Sequence, residues 1–448
     1  MDTIRIANVT QKALLLFAHQ GRSYLPLVLQ ALEALNVVCL VLSSKPRDPV
    51  DLANLRACDP AELWEVDHEF LDELHVDASL KRAHAAGYQV VGALATFEGY
   101  RVLMASTNQK LQAVDAQPAV LVRCMDKYLC RKALYEQGLS HAAVDIVDAD
   151  HIELLHRSGK HRFLKPRRGA GSFACFRLDA TFSKEKLHAL QQQMRDDLAF
   201  RAIFSGQFEF IAEDYISGDE YSFEVLVAQG ESFVIGVHAK YLDDSSGTTL
   251  ETSNSCPAPR LDNNQQLTGE RYIQRCLSAL DLDEGCYHIE ARYDSEAEIW
   301  DIIEINARMG GALINHSIGV FTDGTSMLDL WVQAVCRNNP SEHADFHRRL
   351  TRLRESDRRG AESITHGTVF FSRYGERNRT LSNISIETLP RQPDICELPV
   401  RVGTRLPDSE RGIFILNALW RVDVNEISDE LDRLSTMLDQ HFVTEYAA

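Results

Sequence analysis

Residues 286–316 read CYHIEARYDSEAEIWDIIEINARMGGALINH, and this stretch decides the fold. It predicts two strands, 286–293 and 299–306, joined by a polar turn at 294–298. The second strand carries a run of isoleucines, Ile302, Ile303 and Ile305, so we expect it to be buried. Two polar residues interrupt that run, and they are the reason the hairpin is of functional interest.

The two interrupting residues are Glu304 and Asn306, which point to the same face because strand side chains alternate. A hairpin closing at the turn would place Glu290 of the first strand opposite Glu304. Two facing carboxylates destabilise a sheet unless a cation lies between them. Carboxylate and amide oxygens are hard ligands that suit Mg²⁺ better than Zn²⁺. An edge hairpin with solvated charges is the alternative. We prefer the metal site because the acids interrupt an apolar strand, and because Arg308 and a Gly-Gly pair follow.

Composition and charge limit the class of protein. The 448 residues suggest about three domains, and the formal net charge of −18 argues against nucleic acid or an anionic membrane as a partner. No apolar run reaches the length of a membrane span, and the first residues lack the features of a signal peptide. The ten cysteines are scattered, without a C-x-x-C pair. This pattern is typical of a cytoplasmic protein with reduced thiols.

The first part of the chain, 1–115, predicts a parallel α/β unit. Apolar strands at 12–18 and 37–42 flank an amphipathic helix, and short apolar segments at 88–94 and 101–104 continue the sheet. The first strand-to-helix turn carries one glycine only, so the G-x-G-x-x-G fingerprint of dinucleotide-binding proteins is absent.

A glycine-rich turn marks the next part of the chain. A helix is predicted over 116–140, with Lys127 on its basic side. Two strands, 161–166 and 173–178, then flank the sequence RRGAGS at 167–172. Glycines let a backbone approach a phosphate closely, and the cations beside them supply positive charge. A bare hairpin with a glycine turn is equally common. Lys165 and Pro166 at the end of the first strand favour the phosphate interpretation.

Three strands follow a helix at 184–199, at 208–214, 220–228 and 232–241. His238 and Lys240 share a face of the third strand; a single strand histidine is usually structural, and a lysine at a strand end usually reaches solvent. The polar segment 243–262 predicts a long loop that is either functional or disordered.

Helices are predicted at 263–280, 322–337 and about 340–358, followed by a linker at 360–363. The last part, 360–448, predicts a small α+β unit. Its predicted elements are strands at 366–372, 383–387 and 412–416 and an amphipathic helix at 427–439.

These segments, in this order, resemble the ATP-grasp ligase superfamily over about residues 115–340. The resemblance implies an ATP-grasp fold at 116–340, in which two α+β lobes, 116–215 and 216–340, clamp ATP. The sequence EINARMGG and the chain length resemble those L-amino-acid ligases that make dipeptides. The family pattern often has proline where Ala307 stands, which leaves the metal ligands in place. Each motif is weak alone, whereas the ordered set is specific.

The resemblance implies a role for individual residues. The predicted ATP-binding residues are Lys127, Lys165, Gly169, Gly171, Ser172, Glu213, Asp214, Tyr215, Ile216, Glu220, His238 and Lys240. The predicted metal ligands are Glu290, Glu304 and Asn306, and the predicted catalytic residues are Arg308, Lys165 and Lys240. The predicted substrate pocket consists of Arg308, Gly310, Gly311, Ala312, Asn315 and His316. The implied cofactors are ATP and Mg²⁺, for which Mn²⁺ can substitute.

The implied reaction joins a carboxylate and an amine, both small molecules and expected to be amino acids, with release of ADP and phosphate. A homodimer is the default expectation for such an enzyme. Two alternatives stay open. One is a different ATP-grasp reaction, of the biotin carboxylase or purine biosynthesis kind. The other is a non-catalytic nucleotide-binding protein, although the complete set of metal ligands argues against it.

Overall fold

A four-stranded parallel sheet forms the N-terminal part of the protein, in the order β3-β2-β1-β4. The structure is a computed structural model and describes residues 10–243, 248–361 and 363–447; the predictions that fall on 1–9 or 244–247 lie outside these ranges. The strands are β1 (Gln11–Ala18), β2 (Val38–Ser43), β3 (Glu62–Glu65) and β4 (Tyr88–Ala95). The predicted parallel α/β unit is therefore confirmed.

Helices cover this sheet: α1 (Leu25–Glu33), α2 (Pro49–Ala57), α3 (Glu73–Ala85) and α4 (Arg101–Leu111). A 3₁₀ turn, Glu98–Tyr100, leads into α4. The prediction of a strand at 101–104 is wrong, because this segment is the first turn of α4. Its buried residues include Arg101, Met104 and Asn108, spaced as on one face of a helix. A window of four residues is too short to show that period.

The small lobe contains a second sheet, in the order β5-β8-β6-β7. Its strands are β5 (Val144–Val147), β6 (Arg162–Pro166), β7 (Phe176–Arg177) and β8 (Phe210–Asp214). Its helices are α5 (Pro118–Cys124), α6 (Lys127–Glu136), α7 (Ile152–Arg157), α8 (Lys184–Asp196) and α9 (Arg201–Phe204). The single helix predicted over 116–140 is two helices, because Asp126 caps the N-terminus of α6 by accepting bonds from Tyr128 and Leu129.

An eight-stranded antiparallel sheet forms the centre of the molecule, in the order β13-β12-β9-β10-β11-β14-β17-β16. The strands in chain order are β9 (Asp219–Ala228), β10 (Glu231–Asp243), β11 (Leu250–Cys256), β12 (Gly285–Asp294), β13 (Ile299–Asn306), β14 (His366–Tyr374), β16 (Ile395–Glu397) and β17 (Phe414–Asp423). The predicted hairpin is confirmed as β12 and β13. The prediction of a loop throughout 243–262 is wrong, because β11 lies within this segment and pairs with a strand on each side. Its mostly polar residues gave no apolar pattern from which a strand could be predicted.

The C-terminal strands extend this central sheet. Strand β14 pairs with β11, and β17 joins β14 to β16. Only β15 (Thr380–Ser385) and β18 (Val443–Ala447) form a separate two-stranded sheet among the described residues. Hydrogen bonding therefore continues across the boundary predicted at 360, although the division into domains itself stays a prediction.

The remaining helices are α10 (Asn263–Ala279), α11 (Ile314–Phe321), α12 (Met327–Cys336), α13 (Pro340–Leu353), α14 (Glu355–Gly360) and α15 (Ile427–His441). The helix predicted at 322–337 begins later, at Met327, where Ser326 caps it. The helix predicted at about 340–358 is divided at Arg354, which separates α13 from α14. No helix in the described ranges is both long and apolar enough to span a membrane. All ten cysteines are free thiols.

The small lobe contacts both the N-terminal unit and the C-terminal part of the protein. His19, after β1, lies 3.0 Å from the carbonyl oxygen of Ala199. Arg411, in the C-terminal part, pairs with Asp197 at 3.2 Å. The amide of Ala174, just after the glycine turn, donates to the carbonyl oxygen of Glu410. The glycine turn is therefore held over the central sheet, with a cavity between them.

The turn between the two lobes depends on Gly218, which has a φ of +100°. A Cβ there would lie 2.2 Å from the carbonyl oxygen of Tyr293. Gly230 is a matched control, since its φ is +78° and a Cβ there would meet no atom within 4 Å.

We expect Gly230→Ala to cost about 1–2 kcal/mol of unfolding free energy, from the left-handed backbone alone. Gly218→Ala should cost roughly 1–3 kcal/mol more, because the clash is with backbone that cannot rotate away. Urea unfolding of both variants and the wild type measures the difference. Equal losses in the two variants would show that the Tyr293 contact does not constrain this turn.

Candidate active site

A cavity of about 230 Å³ lies between the glycine turn and the central sheet. Most of the residues predicted for the site line it. These are Lys127, Lys165, Gly169, Gly171, Ser172, Glu213, Tyr215, Ile216, Glu220, Lys240, Glu290, Glu304, Asn306, Arg308, Gly311 and Ala312. They come from positions up to 185 residues apart in the chain, so the fold rather than any single motif brings them together.

Five predicted residues do not line the cavity. Asp214 pairs with Arg162, and the side chain of Asn315 accepts a bond from the amide of Leu328. His238 is wholly buried and contacts the Ser317 hydroxyl at 2.8 Å. Burial lowers the pKa of His238 to about 4, which leaves it neutral.

The other two are Gly310 and His316. A Cβ on Gly310 would lie 2.4 Å from Ile314 and 2.9 Å from the Nδ1 of His288, so this glycine makes room for neighbouring side chains. The Nδ1 of His316 is buried without a hydrogen-bond partner among the described residues.

Glu290 and Glu304 are direct partners in the register of β12 and β13, as the hairpin predicted, and His288 is opposite Asn306. Both carboxylates meet a cation: Glu290 lies 2.7 Å from Lys240, and Glu304 lies 2.9 Å from Lys127. The like charges of the two strands are therefore neutralised from outside the hairpin.

The face of the hairpin that carries Glu290 and Glu304 offers oxygen donors for a metal ion. Two carboxylates and the amide of Asn306 are oxygen donors of the kind that Mg²⁺ takes, and they share one face of the hairpin. In the described residues, no three His, Cys, Asp or Glu side chains are grouped to hold a metal ion. The residues thus fit a hard cation whose remaining ligands come from a bound nucleotide, and they do not form a closed protein site.

Lys240 is the centre of the charge network in the sheet. Its Nζ lies 2.8 Å from Glu251, 2.7 Å from Glu290 and 3.2 Å from Glu220. Burial opposes the charge of this lysine, but the three carboxylates outweigh it and hold its pKa well above the ordinary value. The expectation that Lys240 reaches solvent is wrong, since it is 7% exposed.

Lys165 belongs to a second buried network, at the small-lobe side of the cavity. Its Nζ pairs with Glu213 at 2.5 Å and donates to the carbonyl oxygen of Ile303 at 3.0 Å. Arg131 holds the other oxygen of Glu213 and also pairs with Asp301. Burial raises the pKa of Glu213, but Lys165 and Arg131 outweigh it, so the net pKa is lowered and the carboxylate is charged.

Lys127 links the glycine turn to strand β13. Its Nζ donates to the carbonyl oxygen of Gly169 at 2.8 Å while it pairs with Glu304. Gly171 and Ser172 both have positive φ, which turns the backbone over the cavity. Burial lowers the pKa of Lys127, but Glu304 outweighs it and the net pKa is raised.

Arg308 faces the N-terminal unit. Its Nε donates to the carboxylate of Glu98 at 3.0 Å, and its Nη1 donates to the carbonyl oxygen of Met309. Burial lowers the pKa of this guanidinium, but Glu98 outweighs it and the net pKa is raised. Arg308 is thus a fixed cation at the end of the cavity nearest the N-terminal unit.

The sequence did not assign several residues that the structure places here. His288 contacts Glu224 at 2.6 Å and Glu290 at 3.3 Å. Burial lowers the pKa of His288, but the two carboxylates outweigh it and raise it to about 10. Strand alternation puts His288 on the face of Glu290, and this was the available signal. Glu224 is a charged residue within a largely apolar strand, and this could also have marked it as a candidate site residue.

Arg292 shares this signal, since it also lies on the face of Glu290, whereas two aromatic residues of the cavity carried no local signal. Arg292 pairs with Glu220 at 3.0 Å and donates to the carbonyl oxygen of Ile216 at 2.7 Å. Tyr374 and Phe414 form an aromatic wall, with ring centroids 4.9 Å apart. They belong to the C-terminal strands, and only the pairing of β14 with β11 brings them to the cavity.

Comparison with known proteins relates part of this chain to a known family. A family model described as an ATP-grasp domain matches residues 161–316. A D-alanine–D-alanine ligase of Neisseria meningitidis is 24% identical over 221 residues, which cover 47% of this chain and 66% of the length of that ligase. The match thus leaves about a third of that ligase outside it.

Solved structures match over nearly the whole chain. An L-amino acid ligase from Bacillus licheniformis superposes with a TM-score of 0.72 at 17% identity, covering 98% of this chain and 99% of that chain. A biotin carboxylase from Campylobacter jejuni gives a TM-score of 0.63 at 13% identity, covering 98% and 93%. At these identities the likeness concerns the fold. The ATP-grasp fold expected from the sequence is confirmed, and residues 161–316 of this chain match the ATP-grasp domain.

Proposed function

We propose that this protein is an ATP-dependent carboxylate–amine ligase that joins two amino acids, or an amino acid and a related acid, and releases ADP and phosphate. The observation that carries the proposal is the convergence of opposite charges on one cavity. Its cations are Lys127, Lys165, Lys240 and Arg308, and its oxygen donors include Glu220, Glu290, Glu304 and Asn306. The likeness to an L-amino acid ligase over the full chain supports the choice of substrates.

In the first step, a substrate carboxylate attacks the γ-phosphorus of ATP, and ADP leaves as an acyl phosphate forms. Two anions must approach each other, so the protein contributes chiefly by positioning and by neutralising charge. Lys127 and Lys165 supply positive charge from the small lobe, and Lys240 does so from the sheet. Glu290, Glu304 and Asn306 would hold Mg²⁺ or Mn²⁺, which when bound adds charge neutralisation at the phosphates.

In the second step, the amine attacks the carbonyl carbon of the acyl phosphate. The amide forms as the C–O bond to the phosphate breaks, inorganic phosphate leaves with that electron pair on its oxygen, and the nitrogen loses a proton to the leaving phosphate or to solvent. Arg308 stabilises the oxyanion of the tetrahedral intermediate. Its present partner is the Glu98 carboxylate at 3.0 Å, so a bound substrate has to share this guanidinium. No side chain of the protein forms a covalent bond with the substrate.

We propose a different role for Glu213 from the one that the resemblance implies. The carboxylate of Glu213 is already held by Lys165 and Arg131, and Arg292 already binds the carbonyl oxygen of Ile216, so the adenine edge would meet the remaining backbone groups of Tyr215 and Ile216. Glu220 lies between Lys240 and Arg292 and remains the acid suited to the ribose hydroxyls. We therefore assign Glu213 to positioning Lys165 rather than to contact with adenine.

Substitution of a metal-facing carboxylate tests the site. ADP formation should require Mg²⁺ or Mn²⁺, and Glu304→Gln should reduce it by roughly 100-fold or more. The variant should remain folded, because the amide oxygen of glutamine can still accept a hydrogen bond from Lys127 and the like charge opposite Glu290 is removed. Glu296→Gln, in the exposed hairpin turn, is the matched control and should keep normal activity. Normal turnover of Glu304→Gln at low Mg²⁺ would remove Glu304 from the site.

The products of the reaction test its class. With ATP, Mg²⁺ and a panel of amino acids, chromatography should show ADP and phosphate, and mass spectrometry should show dipeptide or amide products. AMP as the only nucleotide product would contradict an attack on the γ-phosphorus. ADP formation that depends on bicarbonate or a purine precursor, and not on amino acids, would instead favour the carboxylase or purine ligase class. Nucleotide binding without turnover would favour a non-catalytic protein.

A further inference from the structure

The loop that carries Arg308 begins where strand β13 ends, at Asn306. Ala307 is the first residue beyond the strand, so the ladder provides no donor for its carbonyl oxygen. Ala307 and Met309 are both buried, and the loop thus needs its backbone bonds satisfied from another part of the protein.

Arg101, from the first turn of α4, supplies that bond. Its Nε donates to the carbonyl oxygen of Ala307 at 2.8 Å, although the two residues are 206 positions apart. The Arg101 side chain is wholly buried, and its guanidinium also lies 5.9 Å from the ring centre of Trp331. A charge so deeply buried is stable only when it is paired and fully hydrogen-bonded.

Asp115 is the partner of this buried charge. It meets the two outer nitrogens of Arg101 in a two-point contact, and its side chain is 3% exposed. Asn108 donates to the same carboxylate at 2.9 Å and is itself held by both backbone groups of Ala93 in β4. The orientation of Arg101 is therefore set by the sheet of the N-terminal unit.

Glu98 and Arg101 are three residues apart, and they hold two successive residues of the same loop. Arg101 binds the backbone of Ala307, and Glu98 binds the side chain of Arg308. The two contacts differ in kind. Glu98 pairs with the guanidinium to which the proposed function assigns the substrate, whereas Arg101 binds only the backbone.

We propose that Arg101, held by Asp115 and Asn108, is a positioning residue that fixes the Ala307–Arg308 backbone so that the guanidinium of Arg308 lies at the reacting carbonyl. The role assigned to Arg308 rests on the proposed function. The fixing of the loop does not, and the two are measured separately. The N-terminal unit thereby contributes to catalysis through the loop, without touching the reacting atoms.

The test compares two conservative substitutions of buried arginines. Arg101→Lys keeps the charge opposite Asp115 but loses the Nε donor to Ala307. Arg337→Lys is the matched control, since Arg337 is also buried, pairs with Glu284 and donates to the carbonyl oxygen of Ala334, outside the cavity wall. Thermal unfolding of both variants shows whether the loss of folding stability is similar.

Hydrogen–deuterium exchange measures how firmly the loop is held, and it does so independently of which reaction the protein catalyses. In Arg101→Lys, the amides of a peptide spanning 307–313 should exchange at least several-fold faster than in the wild type, and in Arg337→Lys they should not. An unchanged rate in Arg101→Lys, or an equal increase in both variants, overturns the proposal. The exchange result does not depend on the reaction. If the wild type makes no amide product, the proposed function is contradicted, but the fixing of the loop by Arg101 is not.

A double-mutant cycle tests whether the fixing of the loop by Arg101 contributes to turnover through Arg308. Arg101→Lys should lower kcat about 10-fold or more and leave the KM for ATP unchanged, while Arg337→Lys should change neither. Because Arg101 acts through Arg308, the substitution should have little further effect in an Arg308→Lys background. Fully additive effects, or a loss confined to the KM for ATP, would show that Arg101 supports the fold generally and would overturn the proposal.

Discussion

Two carboxylates opposed on neighbouring strands are the constraint on which the rest of the site depends. Glu290 and Glu304 are register partners within a largely apolar sheet, and such a pair is stable only when cations reach it. Lys240 comes to Glu290 from β10, and Lys127 comes to Glu304 from the small lobe. The hairpin therefore requires both a neighbouring strand and a second lobe, and the cavity lies where these three parts meet.

The same requirement explains why the lobes are linked by charge rather than by apolar contact alone. Lys127 connects Glu304 to the glycine turn, and Lys165 connects the small-lobe sheet to the carbonyl oxygen of Ile303 in β13. Removing one partner of a buried pair leaves the other charge without compensation, which usually costs several kcal/mol. These bonds set the relative position of the two walls to within the length of a hydrogen bond, which the proposed phosphoryl transfer would require.

The ends of the chain complete the site from outside the ATP-grasp domain. The N-terminal unit meets the Arg308 loop through Glu98 and Arg101, and the C-terminal strands add Tyr374 and Phe414 to the cavity wall. The eight-stranded sheet passes through the boundary predicted at 360, so the last part of the chain shares its hydrogen bonding with the domain that contains the cavity. The N-terminal unit and the C-terminal strands thus both contribute to the surroundings of the cavity.

The sequence by itself determined the parallel N-terminal sheet, the β12–β13 hairpin and the opposition of Glu290 to Glu304, because each follows from a local period of apolar and polar residues. It also indicated most of the cavity residues, since an ordered set of motifs resembled one superfamily. Strand β11 was missed, because its polar residues are satisfied by neighbours that only the fold supplies. Tertiary structure alone decided the partners of Lys240, the charge of His288 and the bond from Arg101 to Ala307. Each joins residues distant in the chain, and no local pattern encodes which buried charges will meet.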